Sequence, residues 1–153
     1  MASLGVLCDP RRRSMYGGWL SAVRGRLGGV RLELLTALAP AWSTPHFVAP
    51  PPTRPWPALA GELDAIAATP PATVRADLED VYRDRPLPAV LRPLHDDPER
   101  HLATVAQELD RYWQAAVRPV WRQLRELCLA DVAYRMDRFA AGGLARVLED
   151  LHP

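Results

Sequence analysis

An all-α fold, an irregular helical bundle built on two long C-terminal helices joined at a proline and crossed by a proline-rich strap, is predicted by three features of the sequence. Apolar residues between Asp97 and Gly143 recur at spacings of three and four, the period of a helix face. Proline, glycine and capping residues punctuate the rest of the chain at helix-length intervals. No stretch carries a convincing strand pattern.

Taken in order, Leu4 to Leu7 form a short apolar piece, and Asp9, Pro10 and Arg11 to Arg13 read as a solvated turn, since no aromatic interleaving accompanies the arginines. Ser14 can cap a first helix whose inner face is Trp19, Leu20, Val23 and Leu27, and Gly28 with Gly29 stops it. From Val30 a short helix turns Leu32, Leu34, Leu35 and Leu38 inward and Arg31 and Glu33 outward, until Pro40 closes it. Six prolines between Ala41 and Pro57 enforce extended or polyproline backbone. Trp42, Phe47, Val48 and Trp56 within that segment predict an ordered strap packed on the bundle; a proline-rich ligand for a partner groove is the alternative. Ala58 to Ala68 reads as a helix through Leu59, Leu63 and Ile66. Thr69 then caps a further one that has Pro70 or Pro71 in its first turn and buries Val74, Leu78, Val81 and Tyr82. Pro86 and Pro88 bracket a turn, and Leu87, Val90, Leu91 and Leu94 suit a short helix under the long pair.

The first long helix starts at Asp97, an N-cap acceptor followed by Pro98 and Glu99 in the first turn. Its expected inner stripe is Leu102, Val105, Ala106, Leu109, Trp113, Ala116 and Val120, and its wet face Glu99, Arg100, Gln107, Glu108, Arg111 and Gln114. Pro119 lacks an amide proton and its ring meets the carbonyl of Ala115, so either one helix kinks there or a second begins. Beyond it the apolar positions run through Trp121, Leu124, Leu127, Cys128, Val132, Met136 and Phe139. Gly142 and Gly143 end the run, before a last short helix through Leu144, Val147, Leu148 and Leu151. Together these patterns predict a structural core containing Trp19, Leu109, Trp113, Trp121, Leu124, Cys128, Val132 and Phe139, with the kink or break at Pro119.

A length of 153 residues with 48% hydrophobic and 24% charged content suits one globular domain spanning 1–153. The net charge of +1 provides no strong field toward nucleic acid or an anionic membrane. All 19 basic residues are arginine, a pattern that suggests coding bias toward G and C more than a surface chosen for phosphate. Cys8 and Cys128 form no disulfide framework, and Leu7 before Cys8 is too large for a lipoprotein cleavage site. No apolar run approaches the roughly 20 residues that span a bilayer. These features predict a cytoplasmic protein without membrane association.

No catalytic, metal or cofactor site is predicted. His46, His95, His101 and His152 have no nucleophile and orienting group arranged around them. His95, Asp96, Asp97 and His101 cluster, but the histidine spacing does not place both rings on one helix face, and Asp97 is required as a cap. Gly17-Gly18 and Gly28-Gly29 lack the lysine and the preceding strand of a phosphate loop. The expectation is a protein that is not an enzyme.

Six segments in order carry a resemblance: Ala2-Ser3-Leu4 with Asp9-Pro10 and Trp19-Leu20; Ala68 to Pro71; Arg85 to Pro88; Tyr112-Trp113 with Pro119 and Trp121; Ala130 to Arg135; and Gly142-Gly143-Leu144 running to Asp150 to Pro153. Together they resemble the N-terminal, all-helical region of actinobacterial transcriptional regulators of the ArsR type, over nearly the whole chain and most specifically from Tyr112 to Pro153. That resemblance implies an effector-sensing or dimerisation portion, a likeness to regulators whose winged helix-turn-helix follows at a point where this chain stops. It further implies a truncated regulator that forms a homodimer or pairs with a related regulator, and that touches DNA only through a domain not present here. No DNA-binding residue is predicted, and the paired-cysteine motif of metal-sensing members is missing. A stand-alone interaction protein that pairs with full-length regulators is the alternative, and a small-molecule-binding helical protein a more distant one.

Overall fold

The computed structural model describes residues 13–29, 31–51 and 57–148. All regular structure among them is helical, so the fold is all-α. The expectations for Leu4 to Arg12 with Cys8, for Val30, for Pro52 to Trp56 and for Leu151 and His152 fall outside the described residues. The chain divides into two compact units, Met1–Ala115 and Ala116–Pro153.

In the first unit the chain forms α1 (Arg13–Leu27), α2 (Glu33–Ala37), a 3-10 turn (His46–Val48), α3 (Leu59–Ala67), α4 (Pro71–Val81), a second 3-10 turn (Ala89–Leu91), α5 (Arg92–Asp96) and α6 (Pro98–Tyr112). Gly28 and Gly29, at φ 55° and 84°, take the left-handed backbone that ends α1 where the sequence places its stop. α6 is the centre of the unit, with α2, α3, α4 and α5 all packed against it. Its Leu102 and Val105 join Leu38, Phe47, Val48, Ile66, Val74, Leu78, Tyr82, Leu91 and Leu94 in one apolar core. The strap contributes Phe47 and Val48 to that core, so it is packed down as its aromatics predict.

The buried face of α6 is Pro98, Leu102, Val105, Glu108 and Tyr112. This is the expected stripe turned by roughly 50°, about half a residue's rotation on the helix. The turn leaves Leu109 and Trp113 half-buried, as Trp19 is on α1. Glu108 is the correction on this helix: expected on the wet face, it is only 8% exposed.

Most helix starts here have apolar or proline N-caps that cannot accept a hydrogen bond: Leu32, Pro45, Ala58, Pro70, Pro88 and Leu91 make none with their side chains. Other elements supply the missing partners. The Glu108 carboxylate accepts from the amide of Leu35 in the first turn of α2, at 2.9 Å, which explains its burial. Asp77 of α4 accepts from the Phe47 amide at 2.8 Å, capping the strap's 3-10 turn. At C-terminal ends, the Tyr82 hydroxyl donates to the Ala37 carbonyl at 2.6 Å and the Trp42 indole to that of Val81 at 3.2 Å. Arg75 donates to the carbonyls of His95 and Asp96 at 3.0 and 3.2 Å, closing α5. The local cap predicted at Asp97 is present, accepting from the Arg100 amide at 3.4 Å. The one predicted at Thr69 is not: its hydroxyl donates backwards to the Ala65 carbonyl at 3.2 Å, and Pro70 occupies the N-cap of α4.

Of the two readings of Pro119, the second is realised: α-helical bonding stops at Tyr112, passes through a π turn (Trp113–Val117) and a 3-10 turn (Arg118–Val120), and resumes as α7 (Trp121–Leu148). Proline removes the amide that would have reached the Ala115 carbonyl, and the Arg26 guanidinium takes that oxygen at 3.3 Å. Within α7, Gly142 (φ −161°, ψ 18°) and Gly143 (φ 67°, ψ −163°) break the helical geometry, at the residues predicted to end the run. Across the break, Arg138 donates to the Arg146 carbonyl at 3.2 Å.

Candidate interaction surface

Two places among the described residues present chemistry to solvent. The first is an open cavity of about 380 Å³ in the first unit, lined by Leu78, Glu79, Tyr82, Arg83, Arg85, Leu87 and His95. α4 supplies Leu78 and Glu79 and α5 supplies His95. The imidazole bridges two carboxylates, with Nδ1 3.2 Å from Asp96 and Nε2 3.2 Å from Glu79. The Asp96 hydrogen bond, then the Glu79 one, raises the His95 pKa above its ordinary 6.5, against a smaller opposing effect of burial. Arg85 lies over the Trp42 ring, 4.2 Å from its centroid, and Arg83 pairs with Asp80. The wall's charged groups are thus largely engaged with one another, and burial lifts the Tyr82 phenol above 10.0. Of the expected cluster of His95, Asp96, Asp97 and His101, the structure joins only His95 and Asp96, because Asp97 turns to the α6 amide.

The second place is α7. Trp121, Leu124, Cys128, Val132 and Phe139, all expected in the core, are exposed in the single chain, as are Leu127 and Met136. No residue of α7 is buried, and every exposed large hydrophobic side chain among the described residues except Trp42 belongs to it. The stripe itself is as predicted, but the rest of the chain does not bury it. Arg125 and Arg135 fall within the stripe, and two arginines there are the sequence signal that it does not face a dry core. Leu129 and Tyr134, outside the predicted stripe, stand 44% and 52% exposed and widen the apolar surface. Arg135 pairs with Asp131 at 2.7 Å and Arg122 with Glu126 at 3.6 Å, each one turn apart.

Isolated helices gain little from propensity alone and depend on burying an apolar face. Soluble monomers seldom expose contiguous apolar patches beyond a few hundred Å² without using them in an interaction. The face of α7 is therefore the candidate site, and its chemistry is that of apolar docking.

No helix among the described residues is long and apolar enough to cross a membrane, and no group of three or more metal-ligating side chains comes together among them. The chain matches no family model, and neither a curated protein nor a solved structure is significantly similar to it.

Proposed function

We propose that this chain is the helical, non-DNA-reading portion of a transcriptional regulator of the ArsR type, acting as its pairing or effector-sensing module. The observation that carries this reading is the uncovered apolar face of α7, because it lies in Tyr112 to Pro153, the part of the chain where the resemblance to those regulators is most specific. A regulator's pairing module requires a surface that a second protein chain can cover, and this one is wide enough to serve. The all-helical architecture is compatible with the same reading.

Specific DNA recognition requires phosphate neutralisation and side chains aimed at base edges. A net charge of +1 provides little of the first. A gel-shift titration tests the proposal in two halves. The purified chain should not shift the promoter upstream of its own gene, whereas a fusion carrying the winged helix of such a regulator after Pro153 should shift that regulator's operator. A sequence-selective shift by the unfused chain at physiological salt, surviving competitor DNA, refutes the assignment.

A further inference from the structure

The wall of the cavity in the first unit holds a cation that the fold positions without using its hydrogen-bond donors. Of the wall's positive groups, Arg83 pairs with Asp80, and the two ring nitrogens of His95 lie against the carboxylates of Asp96 and Glu79. Arg85 differs. Its guanidinium lies over the Trp42 ring, 4.2 Å from the centroid, and among the described residues no carboxylate or other acceptor meets it. A contact through the flat face leaves the N–H groups, which point outward in the guanidinium plane, able to take an acceptor.

Trp42 is itself fixed. Its indole N–H donates to the Val81 carbonyl at 3.2 Å, and its ring meets that of Tyr82 edge to face, with centroids 6.0 Å apart. Arg85 therefore loses part of its rotamer freedom on folding, so that less is left to lose when it takes a ligand.

The same wall supplies apolar surface. Leu78 and Tyr82 are buried and Leu87 is half-buried. The Tyr82 hydroxyl is engaged by the Ala37 carbonyl at 2.6 Å, so its polar end is already satisfied and the ring is what it adds to the wall. A volume of about 380 Å³ lies near the lower end of the range for small-molecule sites, roughly 300 to 1,000 Å³. That size suits a body of about one aromatic ring with a short chain.

Charge selects the head group. One planar guanidinium matches the two oxygens of one carboxylate. A phosphate dianion calls for a second cation, and Arg83 and His95 are already paired. Glu79 on the wall and Asp84 next to Arg85 in the chain also oppose a second negative charge.

We propose that this cavity binds a small amphipathic monocarboxylate, with its apolar body on Leu78, Tyr82 and Leu87 and its carboxylate on the Arg85 guanidinium. The cavity lies wholly within the first unit, so binding there requires neither α7 nor DNA, and a failed titration and a failed gel shift are separate results.

Amide NMR of the full chain, titrated with phenylpropionate at neutral pH, provides the test. Saturable shifts are expected at Leu78, Tyr82, Leu87 and the Trp42 indole N–H, with a Kd below about 1 mM. Phenylpropanol and phenylpropylamine, which keep the body and change the head group, should bind at least about 10-fold more weakly. Acetate, which keeps the head group and lacks the body, should not saturate over the same range. Arg85→Gln should raise the Kd for phenylpropionate at least about 10-fold and leave that for phenylpropanol unchanged. Its circular dichroism should match the parent's, since Arg85 is exposed.

An absence of saturable binding, or shifts confined to α7, would overturn the proposal. So would an amine that binds as tightly as the acid, or a phenylpropionate affinity indifferent to Arg85→Gln.

Discussion

A glutamate at position 108 looks like surface from its neighbours, Gln107 and Arg111, yet its carboxylate is held in the interior by one amide, that of Leu35. Replacing it by alanine leaves that amide buried without an acceptor and should cost about 1 to 3 kcal/mol. Glu108→Gln keeps an acceptor oxygen and should cost far less; equal losses in urea melts of the two variants would mean that the bond contributes nothing. His95 presents a titration instead. Its folded pKa lies above the unfolded 6.5, so the contribution of its two carboxylate partners is fully present below about pH 6.5 and is lost as pH rises through the folded value. Proton NMR of the imidazole should show a midpoint above 6.5 that falls in Glu79→Gln; an unmoved midpoint would remove Glu79 as a cause. Glu108 is not legible in the sequence because its partner Leu35 lies 73 residues away; at His95 the neighbour Asp96 is visible in the sequence but Glu79, 16 residues away, is not, since periodicity reports only what is near.

Helix positions were far more legible. Asp97-Pro98-Glu99 marks the start of α6, Gly28-Gly29 the end of α1 and Gly142-Gly143 the break in α7, since caps and glycines act through backbone chemistry a few residues long. The failure at Thr69 has the same origin: a hydroxyl can bond forwards as a cap or backwards to the fourth carbonyl before it, and Pro70 occupies the cap position. At Gly143, φ 67° with ψ −163° belongs to a region almost reserved for glycine. Gly143→Ala should therefore strain the break by about 1 to 3 kcal/mol. Faster amide exchange in residues 144–148 is the expected readout, and unchanged protection would show that the break tolerates a side chain.

At the scale of the whole molecule, the apolar stripes of α6 and α7 share one spacing in sequence, but one is the centre of a core and the other has no buried residue. Amphipathic spacing states that a face is to be covered and is silent about which chain covers it. That silence is why the sequence predicts Trp121, Leu124, Cys128, Val132 and Phe139 inside while the structure exposes them. The two stripes do differ in one respect: residues of α6 meet four other helices of their own chain, so its face was committed to the fold, while α7 retains its apolar side chains for use elsewhere.

The helix ends closed from a distance bear on how the chain acquires its structure. Because Leu35 needs Glu108, Phe47 needs Asp77 and the α5 carbonyls need Arg75, α2, the strap turn and α5 cannot satisfy their termini until residues 20 to 73 positions away have arrived. Short helices without local caps are poorly populated alone, so little of this unit should persist in the denatured chain. Loss of secondary and tertiary structure should then coincide, with circular dichroism at 222 nm and tryptophan fluorescence tracing one transition in urea. A synthetic peptide of residues 71–81 should be mostly unstructured in water. Substantial helix in that peptide would mean that α4 forms before the partners that close its ends, and that the unit assembles from ready-made pieces.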